Sequence, residues 1–231
     1  EHTRRYTEHS FLMDWLLMFL MSGVIDDPVT RWEEMFLPDE LERNVASLRY
    51  LDEAGVERAL VGDSVLFHDA PAGRTVPERA SALWPRALIP GLILALPALL
   101  FGIRTGRGKR WTLLGLYSSL AGLILGLFGG VLFFMSTFTD HTVTHGNENL
   151  FLANPLILAA VPLGVLAAFG RGGTGRRLLQ LLWFAAAGLA CVYLLLKPFG
   201  FFAQNNLAAA ATIFPVLIAF GGAAGLTWKR V

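Results

Sequence analysis

Residues 139–155 read TDHTVTHGNENLFLANP and lie where two long apolar runs meet. This segment gathers polar side chains in a part of the chain that is otherwise poor in them: Asp140, His141, His145, Asn147, Glu148, Asn149 and Asn154. Polar groups beside a bilayer need hydrogen-bonding partners. The segment is therefore either a functional site or a structural lock.

Composition and charge indicate a membrane protein with an exported head. The 231 residues are 54% hydrophobic with a mean hydropathy of +0.52, which is too apolar for an ordinary soluble domain. Residues 1–82 hold 16 of the 18 acidic residues, and the remainder holds 11 of the 19 basic ones. We therefore predict an acidic head over 1–82 and a membrane domain over 83–231. Neither half has the basic, aromatic-rich face of a nucleic-acid-binding protein, so no nucleic-acid partner is expected.

Five charge-free apolar runs follow the head. They cover 87–103, 111–138, 150–169, 178–196 and 206–228. A membrane-spanning helix needs about 20 apolar residues, so each run predicts one span, and Pro90 and Pro97 predict kinks in the first. The predicted fold is mainly α: a polytopic membrane bundle of about five transmembrane helices with a small N-terminal α+β head.

The basic residues predict the orientation of the bundle. Nine of them flank one set of helix ends: Arg104, Arg107, Lys109, Arg110, Arg171, Arg176, Arg177, Lys229 and Arg230. The opposite loops carry only Lys197, with Arg86 as a mild exception at the outer end of the first run. Because cytoplasmic loops are enriched in Lys and Arg, we predict a bacterial inner-membrane protein with a cytoplasmic C-terminus. The head and the 139–155 segment then face the periplasm.

The head is predicted to combine short helices with a hairpin. Residues 11–25 are apolar but short and interrupted by Asp14, which favours a buried or interfacial helix over a span. Thr30 and Glu33 have capping-box spacing and predict a helix start.

A longer head helix is expected to begin at Pro38 and to stop at Gly55. Residues 56–61 and 64–68 are predicted to pair as a hairpin around Gly62 and Asp63. A head of this size is near the lower limit for an independent core, so we expect it to lean on the membrane domain, a missing segment or another subunit. An exported head also requires an upstream signal, and residue 1 is Glu. We therefore expect the chain to be processed, truncated or incompletely assigned at its N-terminus.

The 139–155 segment is called the outward loop from here on. The candidate site comprises six of its residues: Asp140, His141, His145, Asn147, Asn149 and Pro155. On a helix, His141 and His145 would share one face as in zinc sites, but the intervening Thr-Val-Thr disfavours a helix. The favoured interpretation is a lock in which Asp140 orients an imidazole and the Asn side chains tie down the loop backbone. A catalytic or lipid-headgroup contact is the alternative. We predict neither a metal nor a cofactor.

Small residues predict close helix packing. Two groups stand out: Gly122, Gly126 and Gly130 in the second run, and Gly221, Gly222 and Gly225 in the fifth. Such residues let helix backbones approach closely, either inside the bundle or against a partner subunit. The single cysteine, Cys191, is expected to pack as a small apolar residue.

Two segments resemble the bacterial Lnb-like envelope family. Residues 32–41, WEEMFLPDEL, are similar to the end of that family's exported domain, and TDHTVTHGNENLFLANPL is similar to its outward membrane loop. The resemblance implies an exported papain-like (NlpC-type) cysteine domain followed by a membrane domain, linked to N-acylation of lipoproteins. The matched part begins after the segment that would carry the nucleophile, so no catalytic residue is carried over.

Two functions follow as expectations. The first is a non-catalytic inner-membrane protein, a structural or accessory subunit or retained membrane domain that docks to a larger assembly. The alternative is part of a lipoprotein N-acyltransferase-like enzyme whose catalytic Cys/His segment is missing from this chain. Membrane lipids and other membrane-protein subunits are the expected partners.

Overall fold

The computed structural model describes residues 4–23, 29–63, 65, 77, 79–108, 110–170 and 173–230. It is mostly helical, as the sequence predicts. The helices and strands are α1 (Arg4–Thr7), α2 (Phe11–Leu20), α3 (Arg31–Glu34), α4 (Pro38–Ser47), β1 (Arg49–Leu51), β2 (Glu57–Ala59), α5 (Trp84–Gly106), α6 (Thr112–Phe138), α7 (Ala160–Phe169), α8 (Thr174–Leu196) and α9 (Leu207–Thr227). Short 3-10 segments cover Thr142–Thr144, Glu148–Phe151, Pro155–Ala159, Lys197–Phe199 and Trp228–Arg230.

The chain forms two compact units. The first, called the head unit, holds Glu1–Tyr6 and Asp27–Ala80. The second, the bundle unit, holds Thr7–Asp26 and Ser81–Val231. Helix α2 thus packs with the long apolar helices, although the sequence places it among the acidic residues of the head.

The head unit begins its second helix as predicted. The Thr30 hydroxyl accepts from the backbone N–H of Glu33 and the Glu33 carboxylate accepts from Thr30, which confirms the capping box at α3.

The prediction of a helix from Pro38 to Gly55 is wrong at its end. Helix α4 ends at Ser47, and the chain then forms β1, which pairs antiparallel with β2 in the register Arg49 to Ala59. In the turn between β1 and β2, the Asp52 carboxylate accepts hydrogen bonds from Ala54 N and Val56 N. Gly55 lies within this turn with φ of +75°. The first strand of the predicted hairpin around Gly62 overlaps β2, which pairs with the preceding strand β1. Most of the second strand of that predicted hairpin, 64–68, falls outside the described residues.

The head unit buries charge instead of apolar surface. The Glu40 carboxylate forms ion pairs with the guanidinium groups of Arg5 at 2.5 Å and Arg43 at 3.0 Å. The side chains of both Arg5 and Glu40 are buried. Among the described residues of this unit, no apolar side chain is buried, and Trp32 and Phe36 are 80% and 70% exposed. The head unit has no hydrophobic core within its described part.

Within its described residues, the bundle unit contains four helices long and apolar enough to cross a membrane: α5, α6, α8 and α9. Helix α9 packs against both α5 and α8 and is the most buried of the four. Gly102 of α5 brings the backbones close, because a Cβ there would lie 2.5 Å from the Ala223 Cβ. The Trp183 and Phe220 rings stack at 4.1 Å between α8 and α9.

The predicted single span over 150–169 is broken. The break falls before Pro155: the segments Thr142–Phe151 and Pro155–Phe169 are bent by 54° relative to each other, and the described residues give up to five spans if this pair counts as one. The Asn154 side chain accepts from Leu156 N, and Pro155 has no N–H to continue a helix. Local capping and proline therefore prevent one continuous helix.

Candidate functional site

Helix α2 lies with one face buried in the bundle unit. Its N-cap, Ser10, accepts from Met13 N, and its buried residues include Trp15, Met18 and Phe19. The Trp15 ring stacks on Phe19 at 5.1 Å, and both rings meet the edge of Phe128 from α6. The Trp15 indole N–H also donates to Thr212 Oγ1 of α9 at 2.9 Å. Apolar contact and one directed bond thus hold α2 against two long helices.

The C-terminal end of α2 meets the outward loop. The last carbonyls of a helix have no partner within it and need external donors. The Asn149 amide donates to Phe19 O at 2.8 Å, and the Asn147 amide donates to Leu20 O at 2.9 Å. The Gln204 amide donates to Met21 O at 2.7 Å. Three side-chain amides therefore cap α2.

The outward loop is shaped to present these amides. Asn147 Oδ1 accepts from Asn149 N at 2.9 Å, which starts the Glu148–Phe151 segment. Gly146 precedes it with φ of +63°, a left-handed conformation that favours glycine. Earlier in the loop, the backbone carbonyl of Val143 accepts a hydrogen bond from the backbone N–H of Ser22 at 2.7 Å. The loop and the end of α2 are thereby joined through backbone and side chains.

Glu148 joins the loop to the connection between α8 and α9. One carboxylate oxygen accepts from Lys197 Nζ at 2.9 Å and from the Tyr193 hydroxyl at 2.8 Å. The other accepts from Gln204 N at 2.8 Å, and the Gln204 amide oxygen accepts in return from Glu148 N at 2.8 Å. This reciprocal pair fixes the two loops in one register.

Asn206 completes the cluster beneath Glu148. Its amide donates to Asn149 Oδ1 at 2.7 Å and to the Tyr193 oxygen at 2.8 Å. Asn149 and Asn206 are fully buried, and Tyr193 is 1% exposed. We call the seven residues Asn147, Glu148, Asn149, Tyr193, Lys197, Gln204 and Asn206 the polar lock.

The electrostatics of the lock favour an ionised Glu148. Burial raises the pKa of its carboxyl, but hydrogen bonds from Gln204 N, Lys197 and Tyr193 and the charge of Lys197 outweigh burial, so the pKa lies below its ordinary value of 4.5. The carboxylate is therefore charged at neutral pH and paired with an ammonium that is only 19% exposed.

The histidine end of the loop lies apart from the lock. Asp140, His141 and His145 are exposed. His145 Nε2 lies 2.9 Å from Thr139 O, so a backbone carbonyl, and not Asp140, is the partner that orients this imidazole. In the part of the chain that the structure describes, no three His, Cys, Asp or Glu residues are grouped to hold a metal ion.

The predicted site residues thus divide into two sets. Asn147 and Asn149 reach the centre of the lock, whereas Asp140, His141 and His145 do not. Pro155 begins the Pro155–Ala159 segment beside the helix break.

The small residues divide similarly. A Cβ at Gly122 would lie 2.5 Å from the Ala160 Cβ, and one at Gly126 would lie 2.6 Å from Leu158 N, so both glycines serve internal packing. A Cβ at Gly130 would meet no described atom within 4 Å. The closely packed glycine is Gly129, where a Cβ would lie 2.3 Å from Ala153 O. In α9, Gly221 is tight against Ala187, while Gly222 and Gly225 leave ordinary contact distances to Leu99 and Phe184.

Five lock residues are missing from the six-residue predicted site: Glu148, Tyr193, Lys197, Gln204 and Asn206. One signal for them was available in the sequence. Lys197 is the only basic residue in the loops predicted to face outward, and 204–206 form a second polar patch, QNN, directly before an apolar run. Two isolated polar patches on the same predicted side of a bundle favour contact between them.

No family model matches the chain, and neither a curated protein nor a solved structure matches it.

Proposed function

We propose that this chain is a non-catalytic integral membrane protein that docks through its head unit to a larger assembly in the bacterial inner membrane. The observation that carries the proposal is that the described residues of the head unit form no hydrophobic core. Trp32 and Phe36, with Leu51 at 71% exposure, present apolar surface that its described residues leave uncovered. Large exposed apolar groups are characteristic of protein interaction sites.

The polar lock supports a structural role. Its amides, hydroxyl, carboxylate and ammonium are engaged with one another and with the backbone of α2. Groups engaged in this way position helices; a catalytic site instead needs groups directed at a substrate. The lock therefore acts to hold α2 and two loops at one end of the bundle.

The proposed orientation rests on charge. Arg104 lies in the last turn of α5, and Arg107 and Arg110 follow that helix. Arg176 and Arg177 lie in the first turn of α8. The lock joins the loops at the opposite helix ends, where Lys197 is paired with Glu148. By the rule that cytoplasmic loops are rich in Lys and Arg, the lock faces the periplasm.

The test is the protein mass of the purified chain in mild detergent, measured by light scattering. We expect a mass above the 25.3 kDa of one chain, and we expect Trp32→Glu with Phe36→Glu to return it to that value. Arg31→Glu is the matched control, because it adds a negative charge beside Trp32 without removing apolar surface. A parent chain that runs alone, or a double variant that behaves as the parent, would contradict the proposal.

A second function is favoured by the exposure of Asp140 and His141. These two residues lie outside the lock and resemble the Asp-His pair of the Lnb-like outward loop. In this proposal the chain is the membrane part of a lipoprotein N-acyltransferase-like enzyme, and the pair contacts the acyl donor at the outer leaflet. His141→Ala should then abolish acylation in cells at unchanged chain abundance. Loss of abundance alone would favour the structural role.

A further inference from the structure

Three buried polar atoms of α6 and α8 are unpaired. Ser118 Oγ, Gln180 Oε1 and Trp183 Nε1 have no hydrogen-bond partner among the residues that the structure describes. The residues are 1%, 1% and 2% exposed. An unpaired polar group in such surroundings is costly, so three in one place point to a missing partner.

The three residues line the same cavity. It lies among α6, α8 and α9, and its wall also includes Leu114, Phe220 and Thr227. The space open to the centre of a water molecule is about 10 Å³. That is close to the minimum volume that holds one water molecule, and too small for anything larger.

The hydrogen bonds around the cavity fix which groups face it. The Thr227 hydroxyl donates to a backbone carbonyl, Ala223 O at 2.8 Å or Ala224 O at 3.2 Å, so its oxygen must accept from the Gln180 amide nitrogen at 2.9 Å. The amide of Gln180 therefore presents its oxygen, not its nitrogen, to the cavity.

We propose that this cavity is a binding site for one ordered water molecule, which links α6 to α8. The water accepts from the Trp183 indole N–H, donates to Gln180 Oε1 and exchanges its remaining bond with the Ser118 hydroxyl. Two acceptors and one donor suit a neutral molecule with two O–H groups. A cation would face the indole N–H without a carboxylate, and an anion would face the Gln180 oxygen.

The test detects magnetisation transfer from water to the ¹⁵N-labelled indole of Trp183 by NMR in deuterated detergent, with Trp183→Phe to assign the signal. We expect a water cross peak for Trp183. Trp15 is the internal control: it is also buried, at 8% exposure against 2% for Trp183, but its indole donates to the Thr212 hydroxyl, so it reports any transfer relayed by a hydroxyl group.

Two substitutions at one position sharpen the test. Ser118→Ala removes the hydroxyl but keeps room for water, so the Trp183 cross peak should persist. Ser118→Val fills the cavity, so the cross peak should be lost. A cross peak that is absent from the parent chain, or that disappears in Ser118→Ala, would overturn the proposal.

Discussion

The head unit and the bundle unit differ in which side chains they bury and which they leave exposed. In the bundle unit, buried polar groups of the lock pair with one another and with the carbonyls of α2, and apolar rings cover the other face of that helix. In the described part of the head unit, the buried residues are Arg4, Arg5 and Glu40, and the apolar side chains are exposed or half-buried. Contacts within the bundle unit therefore satisfy the lock, whereas the described part of the head unit leaves Trp32 and Phe36 exposed, which is the basis of the proposed docking surface.

The largest effect is expected at the centre of the lock. Asn149→Ala removes the donor to Phe19 O and the acceptor for the Asn206 amide, so two buried hydrogen bonds are lost and these groups keep only their bonds to Asn147 and Tyr193. We expect the free energy of unfolding to fall by about 3 kcal/mol, measured by chemical denaturation in detergent micelles. Asn154→Ala is the control, because its side chain caps only Leu156 N, and should cost about 1 kcal/mol. Equal losses would mean that the lock is no more than a set of local caps.

Two glycines of α6 allow a closely packed position to be compared with an open one. Gly126 is the packed position and Gly130 is the open one. Gly126→Ala places a methyl group 2.6 Å from the Leu158 backbone and should lower the free energy of unfolding by about 1–3 kcal/mol. Gly130→Ala meets open space, so the gain in helix propensity should leave stability unchanged or raise it by up to about 1 kcal/mol. The pair differs only in what the added methyl group meets, and a similar loss at both positions would show that Gly130 is also packed.

The charge of Glu148 predicts a pH dependence. Because the folded pKa of this carboxyl lies below its ordinary value of 4.5, its stabilising contribution is fully present above that pH. The contribution is lost as the pH falls through the folded value. We expect the thermal unfolding midpoint to decrease below about pH 4.5. Glu148→Gln should be less stable at pH 7 and should show a weaker decrease in acid; an identical acid response would assign the effect to other carboxyls.

The long helices could be predicted from the sequence because their signal is local. Runs of apolar residues between charged loops gave the positions of α5, α6, α8 and α9 to within a few residues. The break near Pro155 was harder to predict, since the hydropathy of 150–169 is continuous. The Asn154 cap and Pro155 determine the break, and the effect of the cap depends on which backbone group it meets.

The lock could be predicted only in part because its contacts are distant in sequence. Asn149 donates to Phe19, 130 residues away, and Glu148 accepts from Lys197, 49 residues away. The polar composition of 139–155 indicated that partners were needed, but not that α2 and the 197–206 loop would supply them. Asp140 and His141 attract notice by residue type, yet exposure separates them from the lock.

The smallest change in the free energy of unfolding is expected in the head unit. It tests most directly the contrast between the head unit and the bundle unit. Trp32→Ser should change the free energy of unfolding of the isolated chain by less than about 0.5 kcal/mol, because an exposed side chain has few contacts to lose. Trp15→Phe, which loses the bond to Thr212, should cost about 1 kcal/mol. In the assembled state the order should reverse, since Trp32 would then be buried at the interface while Trp15 is unchanged. If Trp32→Ser instead destabilised the isolated chain as much as Trp15→Phe, the apolar surface of the head unit would be covered by this chain itself, and no partner would be needed to explain it.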